Sequence, residues 1–333
     1  MQTEAKPQEK YGIIQEMIQR DNNELNISWL CELAGVSRSG YYSWIRTSEQ
    51  REIREAQDRK DFDLVLKAYL FRGYEKGRRG IHMRLLHMVI VMNPKKISRL
   101  MKKYNLFCPI RKANPYRRMA KALKTDAVAD NIVNRQFREY GARMILLTDI
   151  TYIIYKRGNR VYLSTIKDAY TKEILAYVLS ISLEVDFVLE TIHQLLRKHG
   201  DELQTDAIMH SDQGSHYTSI PFRQLLADKE LRQSMSRRGN CWDNAPKESF
   251  YGHMKDEIDL SPCKTPEDVR AVIDDYMDYY NKDRYQWDLA KLSPNQYYEY
   301  IMTGVYPLRG IANEPLLDKD SGTHSKSDPT TKK

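Results

Sequence analysis

The chain has 333 residues, 41% of them hydrophobic, and 53 Lys and Arg against 45 Asp and Glu give it a net charge of +8. That length suits two or three domains with real cores. No run of 18 apolar residues could span a membrane, and the polar first ten residues lack the apolar stretch of a secretory signal. Cys31, Cys108, Cys241 and Cys263 show no C-x-x-C spacing, which argues for reduced cytosolic thiols over a disulfide frame or a clustered zinc site.

From Asn26 to Ile45 the chain reads as helix, tight turn, helix. Gly35 supplies the turn, Ser37 caps the second helix, and Arg38, Ser39 and Tyr42 are displayed from its start. This is the layout of a helix-turn-helix, whose second helix enters the major groove. A plain helical hairpin has the same pattern, and Gly40 within the second helix costs some stability. A polar, helix-like stretch from Ser48 to Leu70 then serves as a connector.

Charge is distributed unevenly. Lys76 to Thr125 contains fifteen Lys or Arg and no acid, so the rest of the chain balances at −7. Fifteen uncompensated cations repel one another unless an anionic partner neutralises them, and nucleic acid is that partner. Within this region Arg78 to Leu106 repeats the two-helix theme, with Arg78 and Arg79 at its start. Asn93 caps and Pro94 opens the second helix, which displays Lys95, Lys96, Arg99, Lys102 and Lys103 while Ile97, Leu100 and Met101 turn inward. Such lysines suit phosphate contact better than base reading. The linker that follows carries Pro109, Pro115, Arg117 and Arg118 and can drape along DNA.

Strand-type runs at Met144–Tyr155, Arg160–Ile166 and Ile174–Ile181, an amphipathic helix at Val185–His199 and a short strand at Ala207–His210 make a mixed α/β core. Asp149 lies within the first strand, where a buried acid needs a partner or a metal. Asp212 follows the last, at a turn through Gly214; alone it reads as an ordinary turn residue. Glu248 sits near the start of a helix capped by Asn244 and opened by Pro246, and Lys255 returns to nearly the same face two turns later. Alone, Glu248 and Lys255 mark a solvated face. Together, three carboxylates on separate elements offer what a pair of Mg²⁺ ions requires. Asp168, at the end of the second strand, is the rival to Asp149. Farther on, Thr265 caps a helix in which Tyr276 and Tyr280 read as core, and Arg284 lies beyond it as a residue that could touch DNA.

The strings Thr148-Asp149-Ile150-Thr151, His210-Ser211-Asp212-Gln213-Gly214 and Ser234 to Phe250, with 35 residues between Asp212 and Glu248, closely resemble the integrase-core (DDE) transposases of bacterial insertion sequences. The resemblance is to the second-frame products of the insertion sequence 3 family, relatives of retroviral integrases, and covers about Ser28 to Tyr298. It implies a ribonuclease-H-like catalytic core preceded by helix-turn-helix units, with no candidate for the zinc module of retroviral integrases. The expected limits are 1–47 for the first helix-turn-helix, 48–74 connector, 75–107 second basic unit, 108–130 basic linker, 131–260 core, 261–312 helical extension and 313–333 disordered tail.

The activity implied is cleavage at the end of an insertion sequence to free a 3′-OH, followed by joining of that hydroxyl to DNA. Asp149, Asp212 and Glu248 would hold two Mg²⁺ ions, with Mn²⁺ able to substitute; one ion activates water and the other stabilises the leaving oxygen. His210, Gln213 and Asn244 support the site, and no covalent nucleophile is needed. Partners are double-stranded DNA carrying terminal inverted repeats, target DNA, at least a second copy of the chain and an upstream-frame product, in the bacterial cytoplasm at the nucleoid. A non-catalytic DNA-binding regulator is the alternative, disfavoured by three intact carboxylates.

Overall fold

The computed structural model describes residues 5–20, 24–109, 129, 131–133, 139–236 and 245–313. The chain divides into two compact units, the first ending at Leu66 and the second beginning at Lys67.

In the first unit, helices α1 (Pro7–Ile18), α2 (Ile27–Leu33) and α3 (Arg38–Arg46) enclose a small core of Ile14, Leu30, Cys31 and Tyr41. Gly35 makes the α2–α3 turn at φ +63°, and the Ser37 side chain accepts from the Gly40 N–H, capping α3. The α2–turn–α3 layout matches the sequence expectation. Helix α1 was not foreseen; it starts within the polar first ten residues and runs on to Ile18, and it explains Gly40. A Cβ there would collide with the Tyr11 hydroxyl of α1, so close approach of two helices requires the glycine that weakens one of them. Helix α4 (Ser48–Tyr69) follows, and the division between units falls within it.

The second unit opens with α5 (Arg78–His87) and α6 (Pro94–Lys103). Asn93 caps α6 by accepting from the Lys95 N–H, and Ile97 and Leu100 are buried while Lys95, Arg99, Lys102 and Lys103 are exposed. The sheet is β1 (Ile145–Tyr155), β2 (Asn159–Asp168), β3 (Ile174–Ser180), β4 (Ile208–Ser211) and β5 (Arg232–Met235), in spatial order β3-β2-β1-β4-β5. The first three strands form an antiparallel meander, whereas β4 and β5 run parallel to β1. Helices α7 (Asp186–His199), α8 (Ser215–Thr218) and α9 (Ile220–Asp228) supply the crossovers to the parallel strands, as such connections require. Helices α10 (Ala245–Glu257), α11 (Pro266–Lys282) and α12 (Pro294–Thr303) follow.

Two cores flank the sheet. On one face α7 and α9 bury Phe187, Val188, Ile192, Leu195, Phe222 and Leu226 against Leu146, Ile166, Leu175 and Met209. On the other, α10 and α11 bury Phe250, Met254, Ile273, Tyr276 and Tyr280 against Ile153, Val161, Leu163 and Leu179. Tyr276 and Tyr280 are therefore core, as read from the sequence. Thr265 and Asp268 close a capping box at the start of α11. The three described cysteines, Cys31, Cys108 and Cys263, are free. The expected tail begins at the last described residue, Asn313, and otherwise lies outside the described set, as do Arg117 and Arg118 of the linker.

Candidate active site

Strand register brings Asp149 and Asp212 together. β1 and β4 are parallel neighbours with Leu147 opposite His210, so Asp149 and Asp212 each lie two residues farther along and on the same face. That face is also the one α10 covers, because Ile153 and Tyr155 share the parity of Asp149 and pack on Phe250 and Met254. Asp149 accepts the Ile150 N–H at 2.8 Å, and Asp212 accepts the Gly214 N–H at 2.9 Å. Gly214 permits this turn, since a Cβ there would meet Asp212 Oδ1 at 2.9 Å.

Helix α10 is pinned over the pair by three polar anchors. The Tyr251 hydroxyl donates to the main-chain carbonyl of Asp149 at 2.6 Å, and lies 2.8 Å from the Thr165 hydroxyl. Lys247 donates to the Thr165 carbonyl at 2.7 Å and to its hydroxyl. One turn beyond Tyr251, Lys255 donates to Thr151 at 2.7 Å and lies over the Tyr152 ring. Position 248 falls between the first two anchors, three residues before Tyr251 and seven before Lys255, on the same side of the helix. The Glu248 side chain and all of Asn244 lie outside the described set.

Electrostatics agree with convergence of the two acids. Tyr217 and Tyr251 are both held well above the ordinary tyrosine value, first by burial and then by the negative charge of Asp149, with Asp212 adding to both. Burial pushes Lys247 well below the ordinary lysine value; Asp149 pulls it upward and Lys167 depresses it further. Among the described residues, no three His, Cys, Asp or Glu side chains converge to hold a metal ion. Asp149 and Asp212 form a pair of hard oxygen donors, a chemistry that fits Mg²⁺ and offers nothing to a thiolate-seeking metal.

The supporting residues have clear tasks. His210 is fully buried, its Nδ1 3.0 Å from the Ser234 hydroxyl and its Nε2 3.1 Å from that of Ser236. It thereby fastens β4 to β5 below Asp212. Gln213 donates to the Ser236 carbonyl at 3.0 Å, holding the turn that carries the acid.

Asp168, the rival acid, is elsewhere employed. It is buried and accepts from the Arg143 N–H and guanidinium, the Tyr170 N–H and the Thr171 hydroxyl. Arg143 also reaches Glu173 at 2.7 Å and Glu202 at 3.0 Å, forming a closed structural network.

Of the residues expected at DNA, Arg38, Ser39, Tyr42, Arg78, Arg79, Lys95, Arg99, Lys102, Lys103 and Lys255 are exposed and Lys96 is half-buried. Arg38 donates to Ser28 at 3.0 Å. Arg284 requires a correction. Its side chain is mostly buried and holds both oxygens of Glu257, the closest contact at 2.8 Å, while burial is outweighed by Glu257 to keep it firmly charged. A guanidinium committed to a buried carboxylate braces α10 against the segment after α11 instead of meeting DNA.

Sequence reasoning did not single out Lys247, Tyr251, Thr165 or Tyr217. Lys247 and Tyr251 differ by four and so share a face of α10, but a lysine amid Lys-Glu-Ser looks solvent-exposed until the sheet is placed beneath it.

A five-stranded mixed sheet of this order, an antiparallel meander followed by two parallel strands with helices on both faces, is a ribonuclease-H-like core. Family models agree: an integrase core domain matches residues 140–241, a second integrase core model matches 229–294, and an HTH-like domain matches 56–114. An insertion element IS600 uncharacterized 31 kDa protein of Shigella sonnei is 31% identical over 277 residues, 81% of this chain and 97% of that one. An uncharacterized transposase-like protein of Haemophilus influenzae is 34% identical over 64% of this chain and 95% of its own length. Transposase InsF for insertion sequence IS3A of Escherichia coli is 27% identical over 84% and 96%. Among solved structures, the HTLV-2 integrase catalytic core domain in complex with magnesium aligns at a TM-score of 0.37 and 14% identity, over 46% of this chain and 95% of that one. The chain belongs to the integrase-core transposases of bacterial insertion sequences, in the insertion sequence 3 family. It is a DNA transposase, an enzyme that cuts and joins DNA strands, and its HTH-like domain makes it a DNA-binding protein. Among the described residues no helix is long and apolar enough to cross a membrane.

Proposed function

We propose that Asp149, Asp212 and Glu248 together hold two Mg²⁺ ions, with Mn²⁺ able to replace them, and that this site performs both end cleavage and strand transfer. The register of Asp149 with Asp212 beneath α10 carries the reading. Bound metal supplies Lewis-acid activation of the attacking hydroxyl and charge stabilisation at the leaving oxygen. The chain's own residues do the positioning. Tyr251 and Lys247 fix α10 over β1 and β2, His210 and Gln213 fix the turn carrying Asp212, and Lys255 presents a cation beside the cut strand.

The substrate in this reading is duplex DNA ending in the element's terminal inverted repeats, and later target DNA. Helix α3, through Arg38, Ser39 and Tyr42, contacts the groove. The cations of α5 and α6, with Arg117 and Arg118 of the linker, follow the phosphates. The domain limits read from the sequence, assembly of at least two copies on DNA, cooperation with an upstream-frame product and action at the nucleoid belong to the same proposal.

The test uses full-length protein with labelled duplex carrying the element end, in Mg²⁺ or in EDTA. Asp149→Asn, Asp212→Asn and Glu248→Gln are each expected to abolish metal-dependent nicking while DNA binding persists. Retained nicking in any variant removes that residue from the site, and binding without nicking by the wild type sinks the catalytic reading of this chain acting alone.

A further inference from the structure

Tyr217 is 2% exposed, and among the described residues its hydroxyl has no hydrogen-bond partner. The rest of the residue is tied down. Its N–H donates to the Gly214 carbonyl at 3.0 Å, its carbonyl accepts from the Gln233 amide at 2.8 Å, and its ring packs edge-on against Phe222. The ring therefore has no freedom to swing toward another partner, and an unmade buried O–H costs stability that a phenylalanine would keep.

The position of that hydroxyl gives it a use. Tyr217 belongs to the core that contains Leu146 of β1 and Met209 of β4, which precede Asp149 and Asp212 by three positions each. Gly214, in the turn that carries Asp212, passes so close to the ring that a Cβ there would lie 3.5 Å from Tyr217 Cδ2. Charge puts the hydroxyl at the same spot. After burial, the negative charge of Asp149 is the strongest influence holding the phenol above its ordinary value, followed by Tyr251 and Asp212. Thr148 eases it least, without reaching hydrogen-bond geometry. The phenol has a proton to donate, and the acid pair beyond it is a concentration of oxygen acceptors.

We propose that Tyr217 is a positioning residue for the metal site, donating its unused O–H to the oxygen cage that Asp149 and Asp212 form around Mg²⁺. The inference rests on the metal-holding role of those two acids proposed above and adds a support that reaches them from the face of the sheet opposite α10. Ligating carboxylates depend on such donors for their orientation, and loss of one weakens metal binding roughly 10- to 100-fold. Two tyrosines then divide the task. Tyr251 fixes the main chain of Asp149 from α10, and Tyr217 fixes the oxygens that the pair presents. Phenylalanine would pack as well in this core but has no proton to give.

The test follows melting of the full-length protein without DNA as Mg²⁺ is raised, in wild type, Tyr217→Phe and Asp212→Asn, alongside the Mg²⁺ dependence of nicking by the first two. Asp212→Asn is expected to lose the metal-dependent rise in melting temperature, which ties that rise to the acid pair. In EDTA the phenylalanine variant should melt at or above the wild type, having shed an unpartnered hydroxyl. With Mg²⁺ its midpoints for stabilisation and for nicking should both lie about tenfold higher. A lower melting temperature in EDTA would show the hydroxyl to be bonded within the metal-free fold, and an unchanged midpoint in either measurement would show that it never meets the metal site; each result overturns the proposal and leaves the transposase reading intact. Where melting does not respond to Mg²⁺, or responds equally in Asp212→Asn, the nicking midpoint decides alone. A wild type that neither gains stability from Mg²⁺ nor nicks DNA with it overturns the metal-holding pair, and this support with it.

Discussion

The Tyr251 hydroxyl donates to the carbonyl oxygen of Asp149 at 2.6 Å, so a residue of α10 touches the backbone of the very position that offers a carboxylate. The direction of the surrounding bonds follows. Lys247 can only donate when charged, the Thr165 hydroxyl therefore passes its proton toward Tyr251, and Tyr251 passes its own to Asp149. Tyr251→Phe keeps the ring against Phe250 and removes both the bond to Asp149 and the acceptor of the Thr165 hydroxyl. The expected cost is about 1 kcal/mol of stability, and a displaced helix should slow strand cleavage by roughly 10- to 100-fold. Single-turnover cleavage at saturating DNA checks this, and a rate equal to wild type would show that Tyr251 serves packing alone.

The Glu257 site predicts a particular acid limb. Burial would raise its carboxyl, but Arg284 and Lys76 together bring it down to about 2 from an ordinary 4.5. The unfolded chain therefore takes up this proton first. Stability from Glu257 is complete above pH 4.5 and drains away as pH falls toward 2, a total of roughly 3 kcal/mol. Glu257→Gln leaves two buried cations without their partner and should cost about 3–5 kcal/mol near neutrality. Thermal melts of both proteins from pH 7 to pH 3 should converge in the acid range; parallel curves would mean that Glu257 titrates normally.

Gly40 tests the packing of α1 on α3. Alanine is ordinarily the better helix former by about 1 kcal/mol. Here its methyl would strike the Tyr11 hydroxyl and crowd Ser37 Oγ at 2.8 Å. Gly40→Ala is therefore expected to destabilise the first unit by roughly 1–3 kcal/mol, and Tyr11→Phe in the same chain should restore part of the loss. Protease susceptibility of residues in the first unit reads this out, and an alanine variant as resistant as wild type would mean that α1 does not pack as described.

How much of this was legible beforehand depends on the range of the interactions. The strands of the β1–β2–β3 meander and helix α7 carry their own period and were readable from it. The cap residues Ser37, Asn93 and Thr265 declare themselves within three positions. β5 did not, because four residues beginning Arg232-Gln233 have no period to show, and its place is set by Ser234 and Ser236 meeting His210. Arg284 misled for a related reason: its partner Glu257 lies 27 residues upstream, and only the packed α10 and α11 bring them together. The acid pair was readable through motif resemblance, whereas the buried Lys247 beneath it could not be distinguished from a surface lysine.

Asp168 supplies the sharpest separation of structure from chemistry. It stands on β2, two strands from Asp212, fully buried, and shares Arg143 with Glu173 and Glu202. Removing its charge takes one of three carboxylates from a guanidinium that is 2% exposed and weakens the bonds that Asp168 accepts from Tyr170 and Thr171, at an expected cost of about 1–3 kcal/mol. Asp168→Asn should therefore lower the melting temperature markedly yet keep metal-dependent nicking in whatever fraction stays folded. Asp149→Asn should do the reverse, melting close to the wild type without nicking DNA. Nicking and melting curves measured on the two variants together decide the assignment. Loss of nicking by a well-folded Asp168→Asn protein would move the catalytic acid from β1 to β2.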